Sequence, residues 1–173
     1  TINMVVFSGA AGAKRIYNVI DQPIKIGNDQ SLPDFKPSAG NIKFSNVSFK
    51  YENSNDKAIQ DINLDIKGGS MAAFVGHSGA GKSTIINLLP RFYDPQNGEI
   101  YIDNQNTRSA NLNSLRKSIS LVSQDVILFD SSIRENILYA NKDASDKEFF
   151  ESCKFAAAEE FIKDLPQKHE TLI

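Results

Sequence analysis

The sequence predicts an α/β fold in which a buried strand leads through a glycine-rich loop into a helix. The apolar run Met71–Val75 has the length and composition of a buried parallel strand. Residues 76–84, Gly-His-Ser-Gly-Ala-Gly-Lys-Ser-Thr, follow directly, and apolar residues then recur at helical spacing over residues 85–89. We expect this strand, loop and helix to form the centre of the fold.

The composition is that of an ordinary globular domain. The chain has 173 residues, enough for one domain or a little more, with 40% hydrophobic and 23% charged residues. Its net charge of −2 gives no global basic field, so no nucleic-acid partner is expected. The single cysteine, Cys153, cannot form an intrachain disulfide, and a small buried residue is favoured over a reactive thiol. We find neither a complete transmembrane segment nor a signal peptide.

Two segments precede the predicted globular part. Residues 1–21 are predicted to form a helix in which small residues cluster before the basic pair Lys14-Arg15. This pattern is typical of the last turns of a membrane helix emerging at a positively charged cytoplasmic face, and also of a soluble amphipathic helix. Residues 22–41 contain three prolines and two glycines among polar residues, which predicts a linker. The globular part is therefore expected to begin near Asn41.

Strands are predicted on both sides of the glycine-rich loop. The apolar spacing over residues 42–51 indicates an extended strand, with an irregularity at Asn46 where the phase shifts. A second strand is predicted over residues 59–66. After the loop helix, the alternating run at residues 99–103 predicts a half-exposed strand, and the apolar run Ile119–Val122 predicts a buried one.

The second half of the chain is predicted to be mainly helical. A short helix is expected to carry Leu112, Leu115 and Arg116. Two capping boxes, at residues 132–135 and 145–148, each predict the start of a helix. The second box opens a longer helix that is predicted to carry Phe149, Phe150, Cys153, Ala156 and Ala157 on one face.

Residues 76–84 fit the phosphate-binding pattern G-x-x-x-x-G-K-[ST]. The glycines allow several backbone N–H groups to converge on one anion. Lys82 brings a positive charge to the outer phosphates, Ser83 offers a hydroxyl to Mg²⁺, and the following helix points its positive end at the phosphates. The alternative is a glycine-rich turn that binds no ligand.

Several segments around the loop carry a wider resemblance. They are the aromatic stretch 47–51, the Leu-Pro-Arg-Phe-Tyr-Asp-Pro stretch 89–95, residues 122–125, and residues 132–137. Together they resemble the nucleotide-binding domain of ATP-binding cassette (ABC) transporters, and more narrowly exporters with fused membrane and nucleotide-binding domains, such as bacterial multidrug exporters and lipid A flippases. The resemblance implies a P-loop NTPase core with an N-terminal antiparallel β-subdomain over residues 42–173, and an α-helical subdomain that begins near residue 130.

The resemblance also implies roles for individual residues. Tyr51 resembles the aromatic residue that stacks on adenine, although an ordinary strand tyrosine is the alternative. Gln124 resembles the glutamine that contacts Mg²⁺ and the attacking water, the alternative being a polar residue at the end of a strand. Lys82 and Gln124 are thus the catalytic candidates, and Ser83 and Gln124 the Mg²⁺ ligands. The expected ATP-binding set is Tyr51, Gly76, His77, Ser78, Gly79, Ala80, Gly81, Lys82, Ser83 and Thr84.

Other family motifs do not occur in these residues. No apolar run after Gln124 ends in Asp-Glu, the Leu-Ser-Gly-Gly-Gln signature is missing, and neither His77 nor His169 stands where the switch histidine should. Both ends look cut, so we expect an incomplete fold from a longer exporter. In that protein, ATP hydrolysis would drive export of a lipid or amphipathic drug-like substrate, whereas residues 1–173 alone would bind nucleotide without useful hydrolysis.

The resemblance also implies partners and a location. They are a second nucleotide-binding domain and the protein's own membrane domain, the latter reached through coupling helices near residues 91–93 and 126–129. The location is the cytoplasmic face of a membrane, with the bacterial inner membrane expected. The alternatives are a non-hydrolysing regulatory module that binds nucleotide, and a small kinase, which would need an acceptor site and a Mg²⁺ carboxylate that we do not find.

Overall fold

The computed structural model describes the backbone of residues 2–173 and the side chains of residues 7, 9, 10 and 12–173. The chain forms two units, one up to Leu121 and one from Val122 onward, and each is described by itself. The first unit contains α1 (Ile2–Ile20), β1 (Ile42–Phe49), β2 (Ile59–Ile66), α2 (Lys82–Leu88), β3 (Asn97–Ile102), β4 (Gln105–Asn106) and α3 (Leu112–Lys117). The second contains α4 (Ile133–Leu138), α5 (Asp146–Phe155) and α6 (Glu159–Ile162).

The four strands form one antiparallel sheet in the order β2-β1-β3-β4. This confirms the predicted antiparallel region and its first two strands. The irregularity predicted at Asn46 is also confirmed, because the register of β1 shifts there against both neighbours and Asn46 has φ +49°. Gly98 on β3 faces this bulge, and a Cβ at Gly98 would lie 2.4 Å from the carbonyl oxygens of Ser45 and Asn46. A glycine therefore lets β3 approach the bulged strand closely.

The core of the first unit lies between the sheet and α2. Every second residue of a strand faces the same side, so β1 buries Phe44, and the bulge then brings Val47 and Phe49 to the core. Ile85 and Leu88, three residues apart on α2, pack on the same cluster. This packing fixes the start of α2, which is the end of the glycine-rich loop.

Two predicted buried strands are wrong. In the described part of the chain, Met71–Val75 and Ile119–Val122 form no strand pairing, and the side chains of Met71, Val75 and Val122 are 100%, 90% and 92% exposed. A parallel strand is stable only between hydrogen-bonded neighbours that cover its edges and faces. Neither run has such neighbours among the described residues, so neither forms a strand, and of their residues only Phe74 and Ile119 pack against the core clusters.

The segment ahead of β1 is attached to the first unit by several contacts, among them those of Phe35 and of residues 38–41. Phe35 is buried against Ile102, Ala110 and Leu115, and its N–H donates to Ser114 Oγ at 2.7 Å. The carboxylate of Asp103, in the β3–β4 turn, accepts N–H bonds of 2.7, 3.0 and 2.9 Å from Ser38, Gly40 and Asn41. These donors, Ser38 foremost, hold the pKa of Asp103 well below its usual range.

The second unit has the helix starts that the sequence predicts. Ser132 with Glu135 and Ser145 with Glu148 form complete capping boxes. On α5, Phe149 and Cys153 are buried, and burial raises the pKa of the Cys153 thiol. The predicted extent of this helix is wrong. It ends at Phe155, before Ala156 and Ala157, because Ala157 turns into the left-handed region. Phe150, beside the buried Phe149, is 44% exposed.

The first helix, α1, presents apolar side chains to solvent. Ile16, Tyr17, Val19 and Ile20 are each at least 60% exposed. In the described residues, no helix combines the length and the apolar content that a membrane crossing requires. The origin of α1 in a membrane helix stays a prediction, and Thr1 lies outside the described residues.

Candidate functional site

The glycine-rich loop turns into α2 at Gly81. This residue caps the helix with φ +85°, in the left-handed region, and its carbonyl accepts the N–H of Ile85 at 3.0 Å. A Cβ at Gly81 would lie 2.5 Å from Ile59 Cγ2 and 2.6 Å from the carbonyl oxygen of Ala58. Backbone conformation and space therefore both require glycine at this position.

Lys82, the first residue of α2, folds back over the loop. Its ammonium donates hydrogen bonds to the carbonyl oxygens of Gly76 at 2.9 Å and His77 at 2.7 Å. An ammonium has three donors, and both acceptors here are neutral and belong to the loop itself. A phosphate oxygen is a stronger, charged acceptor. The lysine is thus placed where an anion in the loop would displace weaker partners.

The predicted ATP-binding residues of the loop lie together and mostly face solvent. Ser83 is exposed, as are the loop residues His77, Ser78, Gly79 and Ala80. Thr84 differs because it is buried, at 5% exposure, and its hydroxyl is hydrogen-bonded within the protein. The loop is therefore open to solvent, although the N–H of Ala80 donates to the carbonyl oxygen of His77 at 3.2 Å.

Tyr51 reaches the loop from the sheet. Its hydroxyl lies 3.2 Å from Thr84 Oγ1, so the structure joins two residues that are 33 positions apart. The ring is half-buried, because it packs edge-to-face against Phe49 and Tyr93. One part of Tyr51 still borders a cavity of about 610 Å³.

Arg91 does not lie on an accessible surface. It is 9% exposed, with φ +52°, and its guanidinium forms a two-point ion pair with Asp94 and donates to the carbonyl oxygen of Thr107 at 3.2 Å. The residues after it remain accessible, since Phe92 is 44% and Tyr93 40% exposed. Within this motif, Arg91 therefore stabilises the turn and the two aromatic residues face outward.

Gln124 belongs to the second unit and is exposed in a bend, beside a hydrogen bond from Ser123 Oγ to the carbonyl oxygen of Asp125. Its predicted contact with the Mg²⁺ site stays a prediction. Among the residues that the structure describes, His, Cys, Asp and Glu form no cluster able to hold a metal ion. The predicted Mg²⁺ set of Ser83, Gln124 and nucleotide phosphates consists of oxygen ligands, which suits this cation.

Comparison with known proteins identifies the family. Residues 59–172 match the family model described as ABC transporter, and they make up more than half of the chain. The chain belongs to the ABC transporter family, whose nucleotide-binding domain has the P-loop NTPase fold described above. This confirms the resemblance inferred from the motifs and the predicted class of fold.

Individual relatives agree with this assignment. The chain is 42% identical to ABC transporter B family member 2 of Dictyostelium discoideum and 38% identical to the ATP-dependent lipid A-core flippase of Syntrophus aciditrophicus, in both cases over 99% of its length. A Staphylococcus aureus multidrug export ATP-binding/permease protein is 43% identical over 90% of the chain. The chain spans 12%, 28% and 27% of these three proteins.

A solved structure shows the same fold. The chain matches a bacterial Atm1-family ABC exporter, determined with ATP bound, with a TM-score of 0.86 and 35% identity. The match covers 97% of this chain and 29% of the exporter chain. The arrangement of the sheet, the loop and the helices is therefore that of an exporter's nucleotide-binding domain.

Two features of the site are not signalled by the sequence. The Tyr51–Thr84 hydrogen bond joins distant positions, and no local pattern predicts such a pair. The contact of Tyr93 with Tyr51 is also long-range. Tyr93 lies in the family motif at residues 89–95, for which the resemblance implies contact with the coupling helices and not with Tyr51.

Proposed function

We propose that this chain is the ATP-binding part of an ABC exporter in which ATP hydrolysis drives export of a lipid or an amphipathic drug-like molecule. The observation that carries the proposal is the position of Lys82, whose ammonium rests on two neutral carbonyls of an open, glycine-rich loop. Charge-assisted hydrogen bonds to phosphate are roughly twice as strong as neutral ones. Lys82 therefore exchanges the carbonyls of Gly76 and His77 for the outer phosphates of a nucleotide.

The other predicted residues act around this lysine. The loop N–H groups from Gly76 to Thr84 surround the phosphates, and the exposed hydroxyl of Ser83 is available to Mg²⁺. By the family resemblance, Gln124 is the residue that contacts Mg²⁺ and orients the attacking water. When bound, Mg²⁺ neutralises charge on the outer phosphates. Tyr51 stacks on the adenine, a contact worth roughly 1–3 kcal/mol per base in nucleic-acid sites.

The groups that complete hydrolysis belong to other parts of the longer protein. The relatives are more than three times the length of this chain, because it spans 12–28% of them. We place there the Mg²⁺-binding aspartate, the catalytic glutamate, the signature sequence and the switch histidine, together with the membrane helices. The 173 residues by themselves bind ATP and do not hydrolyse it at a useful rate.

Exposed aromatic residues support two further partners. Phe92 and Tyr93 in the first unit, and Phe129 and Tyr139 in the second, are 40–61% exposed. Aromatic residues are enriched at protein interfaces. We assign these two patches to coupling helices of the protein's own membrane domain, and the open face of the phosphate loop to a second nucleotide-binding domain. The domain then lies at the cytoplasmic face of a membrane.

Nucleotide binding tests the proposal directly. Titration of the chain with a fluorescent ATP analogue in Mg²⁺ buffer, followed by displacement with unlabelled ATP, gives the dissociation constant. Lys82→Ala is expected to weaken binding at least about tenfold, which corresponds to the loss of one strong charge-assisted contact. Lys67→Ala, at an exposed lysine after β2, is the matched control and should leave the constant unchanged.

A phosphate-release assay tests whether the groups that complete hydrolysis lie outside these 173 residues. The chain should release no phosphate above the background of Lys82→Ala. Equal ATP affinity in the Lys82→Ala and Lys67→Ala variants would contradict nucleotide binding in the loop. Rapid phosphate release that depends on Lys82 would instead contradict the placement of the hydrolytic groups elsewhere.

A further inference from the structure

The ring of Tyr51 is held between two other aromatic rings. Its centroid lies 4.8 Å from that of Phe49 and 5.1 Å from that of Tyr93, with interplanar angles of 85° and 86°. These are edge-to-face pairs, the geometry that the charge distribution of aromatic rings favours. Phe49 is 4% exposed and belongs to the core, whereas Tyr93 is 40% exposed. Tyr93 is thus the member of the trio that restrains Tyr51 from the solvent side.

A second restraint acts on the hydroxyl of Tyr51. It lies 3.2 Å from the hydroxyl of Thr84, the third residue of α2, whose side chain is buried. Thr84 follows Lys82 and Ser83, the residues assigned to the phosphates and Mg²⁺. The orientation of the Tyr51 ring is therefore fixed relative to the phosphate loop at one end and by Tyr93 at its side.

The accessible side of this arrangement is a cavity of about 610 Å³, within the usual range for sites that bind small molecules. Tyr51 and Tyr93 both line it, and Phe49, Phe92 and Arg116 contribute further wall. The cavity has room for a planar base. A base stacked on Tyr51 would meet a ring whose position Tyr93 already sets.

We propose that Tyr93 is a positioning residue for the nucleotide base, which holds Tyr51 in the orientation that stacks on adenine. This inference rests on the proposed function and adds a residue to it. Because the Tyr51 ring is already restrained in the free protein, it loses less conformational entropy when the base binds. The effect is specific to the base, because Tyr93 has no part in holding the phosphates.

Tyr101 provides a control. It is a half-buried tyrosine on β3 that does not line this cavity, and its hydroxyl donates to a carboxylate oxygen of Glu99. Replacing either residue by leucine removes one tyrosine ring from the first unit. Only the change at Tyr93 removes a ring that contacts Tyr51.

The test compares two ligands, MgATP and inorganic tripolyphosphate with Mg²⁺, which share the phosphates and differ in the nucleoside. For Tyr93→Leu we expect ATP to bind roughly two- to tenfold more weakly, the equivalent of one aromatic pair. Tripolyphosphate should bind within about twofold of the unaltered chain. Tyr101→Leu should leave both constants unchanged, and Tyr93→Phe, which keeps the ring, should restore ATP binding.

A measurement without substitution supplements the variants. In the chain with ¹³C-labelled tyrosine, MgATP should shift the ring signals of both Tyr51 and Tyr93, whereas tripolyphosphate should leave the Tyr93 signals in place. Equal weakening of both ligands by Tyr93→Leu, or no weakening of ATP, overturns the inference. If tripolyphosphate and ATP both fail to bind in a Lys82-dependent way, the proposed function itself is overturned.

Discussion

The guanidinium of Arg91 and the carboxylate of Asp94 form a two-point ion pair, with Nε to Oδ1 at 2.9 Å and Nη2 to Oδ2 at 3.0 Å. The planar fork of arginine allows both bonds at once, while Nη1 reaches the carbonyl oxygen of Thr107. The pair also stabilises the left-handed backbone of Arg91, which has φ +52°. The turn that presents Phe92 and Tyr93 therefore depends on a buried arginine.

Arg91→Lys should destabilise the first unit even though it keeps the charge. A lysine loses the two-point geometry and leaves Asp94 and Thr107 without a full set of donors, so we expect the free energy of unfolding to fall by about 1–3 kcal/mol. Urea denaturation followed by circular dichroism measures this change. Arg108→Lys is the control, because Arg108 is 3.6 Å from the same carboxylate and 39% exposed, so it should cost less than about 1 kcal/mol. Equal losses in the two variants would contradict a special role for Arg91.

Asp103→Asn should release the segment that precedes β1. The carboxylate accepts three backbone N–H bonds on its two oxygens, whereas an amide has one acceptor oxygen and turns an NH₂ group toward the remaining donors. The amides of Ser38, Gly40 and Asn41 should then exchange faster with deuterium. Asp65→Asn, at an exposed carboxylate on β2, should leave their exchange unchanged.

The same carboxylate predicts a pH dependence. Because the pKa of Asp103 is lower in the folded chain than in the unfolded one, its contribution to stability is complete above about pH 4 and is lost as the pH falls further. Protection of the three amides should therefore persist from pH 7 to pH 4 and weaken below it. Loss of protection between pH 7 and pH 5 would point to another group.

Gly81→Ala and Gly79→Ala separate backbone strain from steric conflict. Both glycines have positive φ, +85° and +81°, but only a Cβ at Gly81 would collide with its surroundings. Gly79→Ala should cost about 1–2 kcal/mol through strain alone, and Gly81→Ala about 1–3 kcal/mol more. Thermal unfolding measures the difference. Equal costs would show that the contacts with Ala58 and Ile59 relax freely.

Asn136→Asp should destabilise the start of α4 in the second unit. The Asn136 Oδ1 atom accepts the N–H of Phe129 at 2.8 Å, and its amide nitrogen donates to the carbonyl oxygens of Phe129 and Ser132, both at 3.0 Å. A carboxylate keeps the acceptor but turns an oxygen toward two carbonyls, so a loss of about 1–3 kcal/mol is expected. Hydrogen exchange at Phe129 reports the effect on this loop.

Asn141→Asp is the isosteric control for that change. Asn141 uses only Oδ1 in a hydrogen bond, as acceptor for the N–H of Asp143 at 3.3 Å, and an aspartate can take over this role. Its effect on stability should stay within about 0.5 kcal/mol. A comparable loss at both positions would mean that added negative charge, and not the amide donors, is responsible.

Local chemistry made much of the fold predictable. The bulge at Asn46 follows from a shift in the apolar phase, and both capping boxes follow from Ser and Glu three positions apart. The class of fold and the family follow from the phosphate-loop motif and its neighbours. In each case the information lies within a few consecutive residues.

The failures concern neighbours that are distant in sequence. The apolar content of Met71–Val75 indicates that a strand is possible, but pairing depends on other strands at its edges. The burial of Arg91 depends on Thr107, sixteen positions later. Likewise, the hydroxyl pair of Tyr51 and Thr84 depends on how β1 meets α2. Composition and periodicity do not carry these relationships.

The attachment of residues 38–41 to the β3–β4 turn has a mechanical consequence. Tension applied to the chain ahead of β1 reaches Phe35, which is buried and bonded to Ser114, before it reaches the three hydrogen bonds of the Asp103 carboxylate. Asn41 passes part of it to Gly68, whose N–H donates to the Asn41 side chain at 2.9 Å. These contacts share the load in series, so the strands of the sheet bear a pull from α1 only after the linker contacts have yielded.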